Sequence, residues 1–493
     1  MRNTFLLLIF SVILISCSAS VPKYSPVKTQ DEMLSNYDEF CRHMDNFYPY
    51  FDITEFNWDS LKSYHRDKIR SITTEADFVK NIRQMLSAFN DPHCNIISPD
   101  DQSLFSKLLY PAEGKSFQLI FEEILADHAT FPFRFRIVEN NPVISFIDSS
   151  SNEFNLGLRA GMMLKSINGK SLDDYVKENC IYSYRPETRL SALVNNNLLI
   201  GEKGQKISLS FSSAGGKEIK TECEYRPEYN KYLFNQSAVK YLTSYKKLQT
   251  LEYGLLKNNI GYISIPSFLG VEARRRKGRL FFWVFDGKES PNVKDFEKAL
   301  KELYTTNGLV IDVRDNRGGN GSIGRVMTKY LLSGDIPLYP YCWRDGEYPK
   351  DIRKYTRIFC DTISTLERSH QLKDYRLYNG QYLKPVVVLQ NEGCVSSTED
   401  FLAGLRNIPA VTTLGVNSAG SSSDPIFFRL PNGLFARVPG RRTYYQEGRL
   451  IEKEGIPPDI TAKLTIDDLS HERDSQLEKA VELLQNKFSE NVK

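Results

Sequence analysis

Residues 309–321 read LVIDVRDNRGGNG, a short apolar run that leads directly into a polar loop rich in glycine. The apolar run predicts a strand buried on both faces over Leu309 to Val313. The same texture recurs at Ile260 to Ile265 and at Val386 to Leu389. Helical patterns are interspersed with these strands at Val293 to Tyr304, Ser322 to Leu332 and Thr398 to Arg406. Strands that alternate with helices indicate an α/β core whose sheet is covered on both faces.

Two regions with other sequence patterns precede this core. From about Thr29 to Asn90, apolar residues recur at spacings of three and four, which predicts an N-terminal helical region. From about Ala112 to Arg226 short strands are predicted, at Phe133 to Val138, Val143 to Ile147 and Ile207 to Phe211. Asn168 and Gly169 predict a tight turn, because both residue types tolerate positive φ.

Composition excludes several classes of protein. The chain has 493 residues, of which 41% are hydrophobic and 25% charged, and this balance is typical of a folded, soluble protein. Its 64 basic and 61 acidic residues leave a net charge of only +3. No bulk positive field is available to hold a nucleic acid, so we expect no nucleic-acid partner.

The N-terminus is typical of an exported protein. Arg2 precedes an apolar run from Phe5 to Ile15, which at about 1.5 Å per residue is too short to span a bilayer. We predict that residues 1–16 are a signal peptide. The sequence Leu14-Ile15-Ser16-Cys17 resembles a bacterial lipobox, which implies lipidation of Cys17 and a lipid-anchored protein of the cell envelope, membrane-bound through that lipid only. The alternative is an ordinary signal peptide followed by an incidental cysteine.

The cysteine spacing predicts neither a zinc site nor a disulfide framework. Seven cysteines remain after Cys17, widely scattered and without a Cys-x-x-Cys pair. We therefore interpret them as small buried side chains and predict no metal.

The glycine-rich loop after Val313 could form an anion cradle, since its glycines allow backbone N–H groups to turn inward. Gly319, Gly321 and Gly324 also satisfy the dinucleotide pattern G-x-G-x-x-G. A long polar stretch separates these glycines from the strand, so we predict no dinucleotide cofactor, and no cofactor of any kind. The basic residues 274–277 are interpreted as a solvated loop.

A second loop, residues 391–401 (NEGCVSSTEDF), follows the strand at Val386. Ser396 or Ser397 with an acid two or three residues later predicts a helix-capping box. A nucleophilic serine would occupy the same place for another reason, because free N–H groups at a helix N-terminus stabilise developing negative charge. Both interpretations are compatible with one residue.

These two loops and the segment EKEGIPPD at residues 452–459, in this order, resemble the S41 serine peptidases, which include the C-terminal processing (tail-specific) and tricorn-like proteases. The resemblance implies a ClpP/crotonase-like core at 229–488, after a helical region at 17–111. It also implies a PDZ-like domain at 112–228, because the residues around Asn168-Gly169 are similar to that domain. The notable absence is a carboxylate-binding loop before its first strand, so peptide capture and a scaffold role both stay open.

The resemblance selects Ser396 as nucleophile. Ser421 stands where the processing proteases place their lysine base, and a hydroxyl is no general base near neutral pH. The tricorn-like branch uses a histidine instead, and Asn90-Asp91-Pro92-His93 is similar to that context, with Glu452 in the place of its supporting glutamate. Pro92 replaces the serine that this branch carries beside its histidine.

The expected chemistry is hydrolysis of peptide bonds in proteins or peptides through a Ser396 acyl-enzyme. His93 is the predicted general base, and Glu452 is expected to orient it directly or through Ser421. The predicted oxyanion donors are the N–H groups of Gly318 or Gly319 and of Ser397. The alternative is a non-catalytic peptide- or protein-binding lipoprotein on a decayed S41 scaffold, motivated by the missing lysine and by Pro92.

Overall fold

The computed structural model describes residues 24–100, 128–179, 190, 193, 201–232, 240–269, 271–276, 279–284, 290–332, 336–343, 358–363, 381–406, 408–423, 425–444 and 449–491. The predicted signal peptide and Cys17 lie outside the described residues, as does the predicted boundary at residues 111 and 112. In the described part of the chain, no helix is long and apolar enough to cross a membrane.

The N-terminal region consists of three helices followed by a short strand. They are α1 (Gln30–Phe47), α2 (Trp58–Lys68), α3 (Glu75–Leu86) and β1 (Asn95–Ile97). Thr29 caps α1 in a reciprocal capping box with Glu32, and Thr74 caps α3. The apolar residues at helical spacing, among them Met33, Tyr37 and Phe40, all lie in one buried cluster. The predicted helical region is confirmed.

The next region is rich in strands. Its elements are β2 (His128–Ala129), β3 (Phe133–Val138), β4 (Asn141–Ile147), α4 (Asn152–Asn155), β5 (Met163–Ile167), β6 (Lys170–Ser171), α5 (Leu172–Asn179), β7 (Gly201–Glu202), β8 (Lys206–Ser212) and β9 (Glu218–Glu224). Strands β3, β4, β5, β8 and β9 form one antiparallel sheet in that order. Asn168 and Gly169 connect β5 to β6 with φ angles of 50° and 80°, which confirms the predicted tight turn. The β-rich domain is confirmed, and its likeness to a PDZ domain stays a prediction.

The remaining chain forms the core and its attached hairpins. The elements are β10 (Ser244–Lys247), β11 (Glu252–Leu256), β12 (Ile260–Ser264), β13 (Val271–Arg276), β14 (Arg279–Val284), α6 (Pro291–Leu303), β15 (Gly308–Asp312), α7 (Gly321–Lys329), β16 (Ile336–Trp343), β17 (Ile358–Ile363), β18 (Val386–Gln390), α8 (Ser397–Leu405), β19 (Val411–Gly415), β20 (Pro425–Arg429), β21 (Phe435–Pro439), β22 (Arg441–Thr443), β23 (Ile460–Thr461), α9 (Ile466–Ser470) and α10 (Ser475–Asn491). The predicted helices and strands of the core are present, with ends shifted by one to three residues.

The central sheet has the order β10-β11-β12-β15-β18-β19-β23. All neighbouring pairs from β12 onward are parallel. Successive residues of a strand point to opposite faces, so Leu309 and Ile311 pack with α6, α7 and α8, whereas Val310 packs with α10. Helices on both faces explain why these strands are continuously apolar. The predicted α/β core is confirmed.

The helical region packs directly on the core's β20–β21 hairpin. Strand β1 pairs antiparallel with β21, with Ile96 opposite Ala436. The apolar cluster of the three helices also includes Phe428, Leu430 and Val438 of the hairpin and its turn. The two regions therefore share one hydrophobic core.

One expectation about the core is wrong. Arg274, Arg275 and Arg276 were expected in a solvated loop, but they lie in β13, which pairs antiparallel with β14. Charge alone does not exclude a strand, because the backbone of an antiparallel ribbon pairs whatever its side chains are.

Candidate active site

Three loops meet at one edge of the central sheet. They follow β15, β18 and β19, which are neighbouring parallel strands. Because the carboxyl ends of parallel strands lie on the same edge, these loops bring together Gly318, Ser396 and Ser421. This edge is where ligands bind in open α/β sheets.

Ser396 sits at a sharp turn between the β18 loop and α8. Its φ of 58° and ψ of −122° are rarely adopted by residues other than glycine. The residues at 393–395 and 397–400 are buried, whereas Ser396 is partly exposed. A serine on a strained strand-to-helix turn is the arrangement that presents a nucleophilic hydroxyl.

The glycines of the β15 loop allow it to approach Ser396 closely. Gly318 has a φ of 87°, and a Cβ there would lie 2.6 Å from the carbonyl oxygen of Val395 and 3.0 Å from Cβ of Ser396. Gly319 has a φ of 141°, and its Cβ would lie 2.4 Å from the carbonyl carbon of Phe268. A side chain at Gly318 would therefore push the loop away from the serine turn, and a side chain at Gly319 would push it away from the backbone of Phe268.

Two backbone donors beside Ser396 have no hydrogen-bond partner among the described residues. The N–H of Gly318 donates to Asn316 Oδ1 at 2.9 Å, which removes it as a candidate donor. For Gly319 and Ser397, by contrast, the described residues supply no acceptor for the N–H group. The carbonyl of Gly319 accepts from Ser397 Oγ at 2.8 Å, so the backbone of Gly319 faces the start of α8. Among the predicted oxyanion donors, the geometry favours Gly319 and Ser397.

Glu399 ties the serine turn to the β19 loop. Its carboxylate accepts hydrogen bonds from the N–H of Ser396 at 3.2 Å, of Gly420 at 2.6 Å and of Ser421 at 2.7 Å. The hydroxyl of Ser418 also donates to it at 2.6 Å. The bond to Ser396 is the acidic half of the predicted capping box. Burial raises the pKa of Glu399 to about 7, although its hydrogen bonds act in the opposite direction.

His93 lies next to Ser421 and is buried. Its Nδ1 is 2.9 Å from Ser421 Oγ, and its side chain lies beside Asp91, with Nδ1 3.6 Å from Oδ1. Ser421 in turn accepts the N–H of Ser396 on its carbonyl oxygen at 2.8 Å. Ser421 therefore contacts both the predicted base and the predicted nucleophile. Within the described part of the chain, no hydrogen bond joins His93 directly to Ser396. Nε2 of His93 takes part in no hydrogen bond with these residues.

The packing of the helical region determines where His93 lies. The Asn90–Cys94 turn connects α3 to β1, and β1 pairs with β21. Arg437 on β21 donates from Nη2 to the carbonyl oxygen of Pro92 at 2.6 Å. The turn is thus fixed on both sides of His93, by apolar packing before it and by strand pairing after it.

Glu452 is buried close to the same loop. Its Oε2 accepts the N–H of Ser422 at 3.3 Å. Its charge also acts on Tyr50 and Cys94, which Asp91 influences too. In the described residues no hydrogen bond runs from Glu452 to His93. Glu452 therefore supports the β19 loop that carries Ser421, and the catalytic role predicted for it stays a prediction.

The structure brings every predicted site residue that it describes to this one edge of the sheet, and Cys17 lies outside the described residues. Sequence reasoning missed two carboxylates. It gave Glu399 a capping role only, although the residue holds two loops together, and it quoted Asp91 only as context for His93. The signal for Asp91 was its position two residues before a histidine, where a carboxylate can cap the turn.

The described residues contain no group of three or more histidine, cysteine, aspartate or glutamate side chains arranged to hold a metal ion. Four cysteines in the described part, Cys41, Cys94, Cys223 and Cys394, are buried free thiols.

Comparisons with known proteins match most of the core and most of the helical region. Residues 259–462 match peptidase family S41, and residues 29–87 match the tricorn protease C1 domain. Carboxy-terminal processing protease CtpB of Bacillus subtilis (strain 168) is 24% identical over 384 residues, which are 78% of this chain and 62% of that protein. Tricorn protease homolog 1 of Streptomyces coelicolor is 19% identical over 463 residues, 93% of this chain and 35% of that protein.

The fold has relatives among solved structures. The structure of mature CPAF complexed with lactacystin superposes with a TM-score of 0.63 at 14% identity, covering 94% of this chain and 99% of that one. At this identity the likeness is one of fold. The chain spans between about a third and about three fifths of the length of the two curated relatives.

The fold and the site together define an α/β protein that holds a serine at a strand-to-helix elbow, with a buried histidine supplied by a separate helical region. The chain contains an S41 peptidase-family domain at residues 259–462 and, before it, a tricorn C1 domain at residues 29–87, in the order that the sequence motifs indicated.

Proposed function

We propose that the protein is an exported serine endopeptidase that hydrolyses peptide bonds in proteins or peptides through a Ser396 acyl-enzyme. The observation that carries the proposal is the position of Ser396 at a strained elbow, beside the unpaired N–H groups of Gly319 and Ser397. Donors that are already in place where negative charge develops are usually the largest single contribution to such a reaction.

In the proposed reaction, the Oγ of Ser396 attacks the carbonyl carbon of the scissile peptide bond while Nε2 of His93 takes the hydroxyl proton. The oxyanion forms against the N–H groups of Gly319 and Ser397. His93 then gives the proton to the leaving amine, and the C–N bond breaks. Water, deprotonated by His93, hydrolyses the ester and regenerates Ser396.

Histidine rather than lysine is the proposed base. Ser421 occupies the place of the lysine, and its hydroxyl lies 2.9 Å from Nδ1 of His93. Nε2 of His93 has no hydrogen-bond partner among the described residues and is thus available for Ser396. A small movement that brings Nε2 to Ser396 when substrate binds is compatible with this arrangement, since catalytic hydrogen bonds are often long before substrate binds.

The substrate class follows from the family. CtpB is named as a carboxy-terminal processing protease, and we propose that this chain likewise cleaves polypeptides, with no cofactor and no metal.

Export and lipid anchoring are proposed on the N-terminal sequence alone. The lipobox-like residues Leu14 to Cys17 would place the protein at the cell envelope with a lipid on Cys17. Metabolic labelling with a palmitate analogue should mark the wild-type protein in the membrane fraction and leave Cys17→Ser unlabelled. Equal labelling of both proteins, or of neither, would reject the anchor.

The activity is tested with a fluorescent fluorophosphonate, which reacts with activated serines. We expect the wild-type protein to be labelled and to degrade reduced, unfolded casein, and Ser396→Ala to do neither. Ser150→Ala, which changes an exposed serine of the β-rich domain, is the control and should be labelled like the wild type. Labelling that survives in Ser396→Ala would show that the reactive serine is another one.

The second candidate function is peptide or protein binding without hydrolysis. It is favoured by Ser421, which stands in the place of the lysine, and by Pro92 beside His93. A folded wild-type protein that does not react with the probe but binds unfolded casein would support it.

A further inference from the structure

We propose that Asp91 is the carboxylate that positions His93: it selects the tautomer with hydrogen on Nδ1 and stabilises the protonated imidazole formed during the reaction. This inference rests on the proposed function and deepens it. The supporting carboxylate expected from the resemblance is Glu452, so the geometry of Asp91 points to a different residue.

The first observation is the rigidity with which Asp91 is held beside the imidazole. Its Oδ1 accepts the backbone N–H of His93 at 2.9 Å, and its carbonyl oxygen accepts the N–H of Cys94 at 3.0 Å. Pro92 lies between the two residues, and its ring restricts φ. The carboxylate and the ring therefore belong to one closed turn and keep their relative position.

The second observation is distance and burial. Oδ1 of Asp91 lies 3.6 Å from Nδ1 of His93, and the two side chains are 2% and 7% exposed. This is beyond a good hydrogen bond but within the range of an ion pair. At such a separation, away from water, the negative charge of a carboxylate attracts a hydrogen on the nitrogen that faces it.

The third observation is the other oxygen of Asp91. Oδ2 is buried, and no hydrogen-bond partner for it exists among the described residues. Leaving a buried acceptor unpaired typically costs about 1–3 kcal/mol, so an exception of this kind calls for an explanation. A carboxylate oxygen without a hydrogen-bond partner exerts its negative potential on neighbouring groups, and the nearest titratable ring is that of His93.

Glu452 is less suited to this role. Its Oε2 accepts the N–H of Ser422, and among the described residues it forms no hydrogen bond with His93. The remaining charged or titratable groups around the imidazole act at a greater remove. Glu399 is connected to the imidazole through Ser421, and Arg437 binds the carbonyl oxygen of Pro92. The other groups are the buried side chains of Tyr48, Tyr50 and Cys94.

The specific effect inferred for Asp91 is on the tautomer of His93, that is, on which ring nitrogen carries the hydrogen. Ser421 Oγ can either donate to Nδ1 or accept from it. A general base for Ser396 needs a free lone pair on Nε2, which requires the hydrogen on Nδ1. The negative charge of Asp91 beside Nδ1 favours that tautomer, and Ser421 Oγ then acts as the acceptor.

The test compares Asp91→Asn with the wild type in the rate of fluorophosphonate labelling across pH. Asparagine keeps an acceptor for the N–H of His93 and removes only the charge. We expect the labelling rate to fall by roughly 10²-fold, towards the 10⁴-fold loss known for such a change in a directly bonded triad. Because the charge of Asp91 favours hydrogen on Nδ1, its removal should also raise the share of the tautomer with hydrogen on Nε2, which the ¹⁵N shifts of the His93 ring report.

Two further variants separate this role from a general effect of charge. Asp38→Asn removes a carboxylate of α1 that pairs with Arg66 at the surface, and it should change neither the labelling rate nor the tautomer of His93. Glu452→Gln should lower the labelling rate less than Asp91→Asn and leave the tautomer of His93 unchanged. A larger loss of rate and a change of tautomer in Glu452→Gln, with neither in Asp91→Asn, would overturn the inference.

A measurement on the wild-type protein covers the case in which Asp91→Asn does not fold. The ¹⁵N shifts of labelled histidine, assigned with His93→Gln, should show hydrogen on Nδ1 at a pH where His93 is neutral. Hydrogen on Nε2 would overturn the inference. If the wild-type protein is not labelled at Ser396, the proposed function fails first. If it is labelled and Asp91→Asn behaves identically, only the inference about Asp91 fails.

Discussion

The two halves of the candidate site are built in different ways. The nucleophile half consists of the loops after β15 and β18, which one parallel sheet brings together at neighbouring strand ends. The base half consists of the turn at Asn90–Cys94, which reaches the site because β1 pairs with β21 more than 300 residues later. Local turns and glycines fix the first half, whereas hydrophobic packing between distant segments fixes the second. The base half should therefore be the easier one to displace without destroying the core.

The largest effect is expected from a substitution that disrupts the hydrophobic packing of the base half. Phe428, on β20, is buried against α1, and its ring stacks on His43 with centroids 3.9 Å apart. Phe428→Ala should lower the free energy of unfolding by about 3–5 kcal/mol, as large-to-small core substitutions do. It should also slow fluorophosphonate labelling of Ser396, because His93 is no longer held.

The matched control for this packing is Phe211→Ala, which empties the core of the β-rich domain. It should cost a similar free energy of unfolding by denaturant titration and leave labelling of Ser396 unchanged. Equal slowing in both variants would contradict the special role of the hairpin packing.

In the nucleophile half, a substitution of Gly318 should disrupt the oxyanion donors. Gly318→Ala places a Cβ 2.6 Å from the carbonyl of Val395 at a φ of 87°, so the β15 loop must move and carry the N–H of Gly319 with it. Loss of one oxyanion donor typically costs about 10²- to 10³-fold in kcat, and casein hydrolysis should fall by that amount. Gly215→Ala, at a turn where only Ser213 Oγ lies within 4 Å of the added Cβ, should retain full activity. Wild-type turnover in Gly318→Ala would refute the close approach.

Glu399 joins the serine turn to the β19 loop, whose Ser421 contacts His93, and its titration should be measurable. Its pKa rises from an ordinary 4.5 to about 7 on folding, so the native state binds the extra proton between these values. The contribution of Glu399 to the free energy of unfolding is therefore fully present below about pH 4.5. It falls by about 3 kcal/mol as the pH rises through 7.

The free energy of unfolding measured from pH 5 to pH 8 should decline more steeply in the wild type than in Glu399→Gln. Glu392, whose pKa burial also raises to about 7, titrates in both proteins and cancels in the difference. Parallel curves for the two proteins would mean that Glu399 does not change its pKa on folding.

The smallest effect is expected at the contact between the halves. Ser421→Ala removes the hydroxyl that contacts Nδ1 of His93 but keeps the backbone bonds of Ser421 to Glu399 and Ser396. We expect labelling to slow by roughly tenfold, equivalent to about 1.4 kcal/mol. Ser423→Ala, which removes a hydroxyl bonded to the carbonyl of Arg441, should not slow it. A larger loss in Ser423→Ala than in Ser421→Ala would reverse the assignment.

Much of the nucleophile half could be predicted from the sequence. Apolar runs such as Leu309 to Val313 predicted the buried strands, and a serine followed three residues later by Glu399 predicted the start of a helix. These signals are local, because a strand, a glycine turn and a cap each depend on residues close in the chain. The choice between Gly318 and Gly319 was not predictable, since it depends on the bond from Gly318 to the side chain of Asn316.

The base half was only partly predictable. A family resemblance indicated His93, but no pattern showed that Asp91 would lie 3.6 Å from its Nδ1, or that Glu452 would bind Ser422 instead. The residues of β13 were misjudged for a related reason, because a run of arginines says nothing about whether a partner strand is available.

The sequence by itself determined the order of the three regions, the covered α/β sheet and the serine turn, because hydrophobic periodicity and glycine placement act over a few residues. Only the tertiary structure decided that Ser421 contacts both His93 and Ser396, that Glu399 binds both loops, and that Asp91 is the carboxylate nearest the imidazole. These contacts join residues up to 328 positions apart, and they form only after the helical region and the β20–β21 hairpin have buried a common apolar surface.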